Sequence, residues 1–84
     1  MGKYEKLESK IFQGGSDSNI PFDDLCQLLV RLGFETRIRG SHHIFRKAGV
    51  EEKIVLQREG TKAKAYQVRQ VRQVLTRYGL RVGA

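Results

Sequence analysis

Apolar positions along this chain recur at two periods, and the change from one to the other lays out the expected elements. In KYEKLESKIF, Tyr4, Leu7 and Ile11 fall at helical spacing on an otherwise charged segment, which predicts a short helix with one narrow apolar stripe. Gly14, Gly15 and Ser16 stop it, and the Asp-Ser-Asn run that follows supplies turn and cap chemistry. Residues 1–19 therefore read as an N-terminal extension, a short helix followed by a Gly/Ser-rich linker. The strongest helical pattern is PFDDLCQLLVRLGF. Phe22, Leu25, Leu29 and Leu32 share one face, Cys26 and Leu28 widen it, and Asp23 and Asp24 complement the positive end of the helix dipole. Pro21 suits the start, Gly33 supplies a left-handed terminator, and Phe34 is expected to fold back on the last turn.

After Phe34 the pattern shortens to strand-like segments, ETRIR, HHIFRK and KIVLQ. Gly40-Ser41 separates the first two and Ala48 to Glu52 the second two, at hairpin distances, which predicts a three-stranded antiparallel meander. Helical spacing returns from Lys64 to about Tyr78 and ends at Gly79. Val68, Val71, Leu75 and Tyr78 form its buried stripe with Val74 beside them, and Arg69, Arg72 and Arg77 lie off it as a cationic outer face. The expected fold class is α+β: a small three-stranded antiparallel sheet with helices packed on one face and the opposite face open. Residues 20–84 form the main domain on this reading, with no internal repeat and no low-complexity tract.

A chain of 84 residues supports one domain with a modest core and leaves little room for a large substrate cavity. It contains no apolar run long enough to span a membrane, no secretory h-region, and Lys6 where a myristoylation signal needs Ser or Thr. Its single cysteine, Cys26, cannot form an internal disulfide and falls in a helical core pattern. The expected location is the cytoplasm, with no membrane partner. The net charge of +7 is unevenly placed: residues 1–34 hold four Lys or Arg against five Asp or Glu, and residues 35–84 hold twelve against four. A one-sided field of this kind suits nucleic acid, an anionic membrane or an acidic protein. The Gly14-Gly15 pair lacks both the spacing and the Lys-Ser/Thr ending of a phosphate-binding loop.

The candidate chemistry lies in RGSHHIFRK. Successive strand residues face opposite ways, so His42 and His43 do not grip one ion from regular β geometry, and no Cys, Asp or Glu in that strand completes a metal site. No metal and no cofactor is expected. A half-buried, hydrogen-bonded histidine is the plain structural reading for one of the pair. The surrounding Arg37, Arg39, Arg46, Lys47 and Arg58 point instead to anion handling. Histidine as a residue type titrates near 6.5, so it both takes and gives a proton at neutral pH. In RNA the 2′-hydroxyl lies beside the phosphorus, so one positioned base and a few cations suffice for slow cleavage. DNA lacks that nucleophile. Gly40 permits close backbone approach at the turn, and Ser41 can donate a hydrogen bond to phosphate.

These residues also carry a family resemblance. A helix ending in Leu-Gly-Phe, a strand, then Gly-Ser-His in RLGFETRIRGSHHIFRK, followed by VRQVLTRYGL as closing helix, resembles the HicA-type toxins, small mRNA interferases of toxin–antitoxin pairs. The resemblance covers roughly residues 20–80. It implies a double-stranded-RNA-binding-domain-like helix, three strands and helix, and metal-free, ribosome-independent cleavage of mRNA. It also implies a HicB-type antitoxin as partner, and His42, the residue after Gly-Ser, as the catalytic group. In some relatives the histidine occupies the next position, so His43 competes. The chain departs from the pattern in its nineteen extra N-terminal residues and in IVLQREG, where many relatives place Pro and often His.

Three functions follow. The first is an endoribonuclease toxin with His42 as general base, Arg39, Arg46 and Lys47 on phosphate, His43 among the RNA-binding residues, and Gly40 and Ser41 shaping the turn. The second is a non-catalytic RNA-binding module with the same basic sheet. The third is a protein-interaction domain docking an acidic partner.

Overall fold

The computed structural model describes residues 2–82. Helix α1 (Lys3–Gln13) leads through a 3-10 turn (Asp17–Asn19) into α2 (Phe22–Arg31). Strands β1 (Glu35–Arg39), β2 (His42–Lys47) and β3 (Val50–Leu56) follow, then a two-residue pair, β4 (Arg58–Glu59) and β5 (Lys62–Ala63), and α3 (Ala65–Tyr78). The protein is α+β, with β1, β2 and β3 forming an antiparallel sheet in chain order.

Alternation along the sheet decides what each face does. Phe45, Ile54 and Leu56 point inward and are fully buried against the helices, which contribute Phe22, Leu25, Leu28, Leu29, Val68, Val71 and Leu75 to the same core. The register pairs Thr36 with Phe45 and Arg39 with His42, so Glu35, Arg37 and Arg39 of β1 and His42, Ile44 and Arg46 of β2 face away from the helices. Among the described residues no helix covers that outer side. All five β1 side chains are exposed, and their charges guard the sheet edge against pairing with another strand.

All three helix ends expected at glycine occur there, α1 stopping at Gly14. Gly33 has φ 97°, and the Phe34 amide donates to the Leu29 carbonyl at 3.0 Å, which folds Phe34 into the core. Gly79 ends α3 in the left-handed conformation.

Three features differ from the sequence expectation. Strand β3 begins at Val50, three residues before KIVLQ, although Glu51 and Glu52 are poor strand formers. The Glu52 carboxylate accepts from the Tyr78 hydroxyl at 2.6 Å and from Arg77 at 3.1 Å, and the Glu51 amide donates to that same hydroxyl at 3.3 Å. Tertiary partners thus hold what local propensity disfavours. The β4–β5 pair was not legible either: the Phe22 amide donates to the Thr61 carbonyl at 3.0 Å and the Ala63 amide to Ile20 at 2.9 Å, clasping the entry to α2.

The third difference concerns the arginines of α3. The sequence puts Arg69, Arg72 and Arg77 on a solvated cationic face, but Arg72 reaches back to bind the Asp17 carboxylate with both Nη atoms, at 2.8 and 3.2 Å. Its Nη1 also donates to the Ile11 carbonyl at 3.1 Å. Residues 1–19 are joined to α3 by these contacts, and Leu7 and Ile11 of α1 are buried in the common core. Nearby, the half-buried Val82 amide donates to the buried Glu8 carboxylate at 2.8 Å.

The Arg72 hydrogen bonds hold the Asp17 carboxyl below its ordinary value of 3.8. A depressed carboxyl contributes stability that is present above its unfolded pKa and lost as pH falls through the folded one. Asp17→Asn is therefore expected to cost about 2 kcal/mol at neutral pH, and the gap to wild type should close below about pH 4. Urea melts of both proteins across that range check the sign.

Candidate functional site

The turn between β1 and β2 is two residues long, flanked by the Arg39–His42 pair. Gly40 has φ 57° and Ser41 does not adopt positive φ, the pattern of a type II′ turn, whose first central position favours glycine. This tight hairpin fixes the face that each histidine takes.

His42 is exposed on the open outer face, directly across from Arg39. His43 turns to the helix side, half-buried, with its ring centroid 4.8 Å from that of Phe22 at an interplanar angle of 82°, an edge-to-face contact. Arg58 lies over the same Phe22 ring at 4.6 Å and is held there by Asp23 at 2.6 Å. The two histidines thus diverge. Among the described residues no three His, Cys, Asp or Glu side chains gather as a metal-binding group.

Below His42, the outer face carries a shallow hollow of about 450 Å³ whose cations are Arg37, Arg39, Arg46 and Lys53, with Ile44 at its floor. Among the described residues these four heads have no ion-pair partner, whereas Arg58, Arg72 and Arg77 are each paired with a carboxylate. Unneutralised cations on one face attract a polyanion; paired ones contribute much less. Of the residues singled out in the sequence, Arg39, His42 and Arg46 come together on this face. Arg37 and Lys53 join them, and Lys53 is the member that sequence reasoning missed. Alternation outward from buried Ile54 could have found it.

Lys47 does not belong to that group. It follows the inward parity of Phe45, and its ammonium lies so close to Gly33 that a Cβ there would approach within 2.7 Å. Its charge sits at the negative end of α2. Ser41 is turned toward Gln57, whose Nε2 donates to its hydroxyl at 3.3 Å. Cys26 is half-buried, and burial pushes its thiol up to about 11, so it stays protonated and unreactive at neutral pH.

No helix among the described residues is long and apolar enough to cross a membrane. No curated protein and no solved structure matches the chain. A family profile described as the HicA toxin of bacterial toxin–antitoxin does match, over residues 22–80, which takes in α2, the whole sheet and α3. The chain therefore belongs to the HicA toxin family, a family of endoribonuclease toxins whose members act in toxin–antitoxin pairs.

Proposed function

We propose that this toxin cleaves mRNA with His42 as general base. The observation that carries the reading is an exposed imidazole beside four cations that form no ion pair among the described residues, Glu35 being the one carboxylate among the residues lining their hollow. A neutral His42 ring removes the proton from a ribose 2′-hydroxyl, and the 2′-oxygen attacks the adjacent phosphorus. The bond to the 5′-oxygen breaks, leaving a 2′,3′-cyclic phosphate and a 5′-hydroxyl that takes its proton from water or from the protonated ring. Arg37, Arg39, Arg46 and Lys53 bind the phosphoryl oxygens as charge builds on them. Gly40 and Ser41 shape the hairpin tip and His43 supports it from the helix side, while Lys47 sits at the opposite end of β2 beside Gly33. The chemistry as written uses only these side chains, and no metal takes part in it.

The partner is a HicB-type antitoxin presenting an acidic surface to the same open sheet face, where charge complementarity would block RNA access. A second reading rests on the edge contact between His43 and Phe22: a ring held in place is pre-organised, and His43 would then be the base.

Purified protein in EDTA should convert labelled single-stranded RNA to fragments ending in cyclic phosphate, and an all-2′-deoxy strand of the same sequence should survive. Binding without turnover would sink the nuclease reading in favour of a passive RNA-binding module. Absence of binding at low salt would leave only a protein-docking domain.

A further inference from the structure

Beyond the C-terminal end of β3, where β5 passes into α3, a cleft of about 480 Å³ is lined by Lys62, Lys64, Arg69 and the exposed ring of Tyr66, with Glu59 and Ser18 at its margins. None of these residues belongs to the cleavage site described above. Tyr66 is 56% exposed, a large ring surface that packing does not explain. Lys62 has no ion-pair partner among the described residues, and Arg69 has only a distant carboxylate, Asp17 at 3.9 Å. Glu59 is the one carboxylate lining the cleft.

The cleft is joined to the catalytic hairpin by hydrogen bonds centred on Gln57. Lys64 donates to Gln57 Oε1 at 3.3 Å, and Gln57 Nε2 donates to the Ser41 hydroxyl at 3.3 Å, one residue from His42. The Gln57 amide, where β3 ends, donates to the buried Gln67 Oε1 at 2.8 Å, and Gln67 Nε2 reaches the Tyr66 hydroxyl at 3.5 Å. Fixed side chains therefore run from the hairpin tip to the floor of the cleft.

We propose that this cleft is a second RNA subsite, which takes a nucleotide of the same single strand outside the cleaved linkage. Its base stacks on Tyr66 and its phosphate is held by Lys62 and Arg69. The inference rests on RNA being the substrate. A ring face beside cations matches the two recurring parts of a nucleotide, a flat base and an anionic linker. An acidic protein surface could also use the cations and the ring, and antitoxin binding is measured beside RNA affinity to separate the two. The subsite lengthens the footprint on RNA without touching the reacting atoms, so it acts on affinity for long substrates.

The test compares wild type with Tyr66→Ala and with Lys62→Gln/Arg69→Gln, all in the full chain, after thermal melts establish that each is folded. For a long RNA, either variant should raise KM roughly ten-fold with kcat unchanged. A short RNA that fills only the hairpin site should be cut equally by all three proteins. The double variant should also show a shallower salt dependence of RNA binding. RNA carrying 4-thiouridine should photo-crosslink to the peptide containing Tyr66. Unchanged KM on long RNA, with wild-type cleavage intact, would overturn the subsite and leave the catalytic proposal standing. Loss of antitoxin binding in place of RNA affinity would overturn it too, and identify a protein-docking surface. If wild type neither binds nor cuts RNA, the catalytic proposal fails and the subsite falls with it.

Discussion

His42→Ala is expected to lower RNA cleavage by about 10² to 10⁴, the range a positioned general base contributes, while RNA affinity changes only slightly. The cations proposed to bind phosphate are untouched, and the ring is exposed, so its loss opens no cavity. A surface change of this kind should alter stability by no more than about 0.5 kcal/mol. His43→Ala should behave in the opposite way. It removes an edge-to-face contact with Phe22 worth about 1 kcal/mol, so it should lower the melting temperature while leaving most of the turnover. Cleavage rates under single-turnover conditions, read beside thermal melts, separate the two. Normal cutting by His42→Ala together with a folded but inactive His43→Ala would move the base to the inward ring.

The second large effect lies far from the hairpin. Ile11→Ala is expected to destabilise the whole protein by about 3 kcal/mol, lowering its melting temperature by on the order of 15 °C. Ile11 sits on α1, outside the residues matched by the family profile, yet it is fully buried in the common core. Its carbonyl also accepts from Arg72 of α3 at 3.1 Å. Truncation at such a position costs the transfer energy of the lost methylenes plus that of the cavity they leave. One cooperative transition at lower temperature is the expected calorimetric trace. A melting temperature equal to wild type would mean that α1 is a dispensable appendage.

How far the sequence alone could be read is best judged from the arginines. Arg37 and Arg39 were legible as surface cations because they lie on a strand whose neighbours alternate in polarity. Arg72 looked equivalent, since periodicity gives the direction in which a side chain leaves its helix but not what it meets. Its partner Asp17 lies 55 positions earlier, and no local pattern links the two. The candidate site divides the same way. His42 and Arg39 could be placed together by counting back from a two-residue turn, whereas the Gln57 chain to Ser41 and Lys64 joins segments that only the closed fold brings within reach.

By itself the sequence determined the order of elements, the α+β class, the buried stripes and the opposite facing of the two histidines, because each follows from local periodicity and from glycine conformation at turns. The tertiary structure decided which cations are neutralised, that α1 shares the core, that Glu51 and Glu52 extend a strand, and that a second cationic cleft forms beside Tyr66. Those outcomes depend on contacts between residues distant in the chain, whose energies no short window contains.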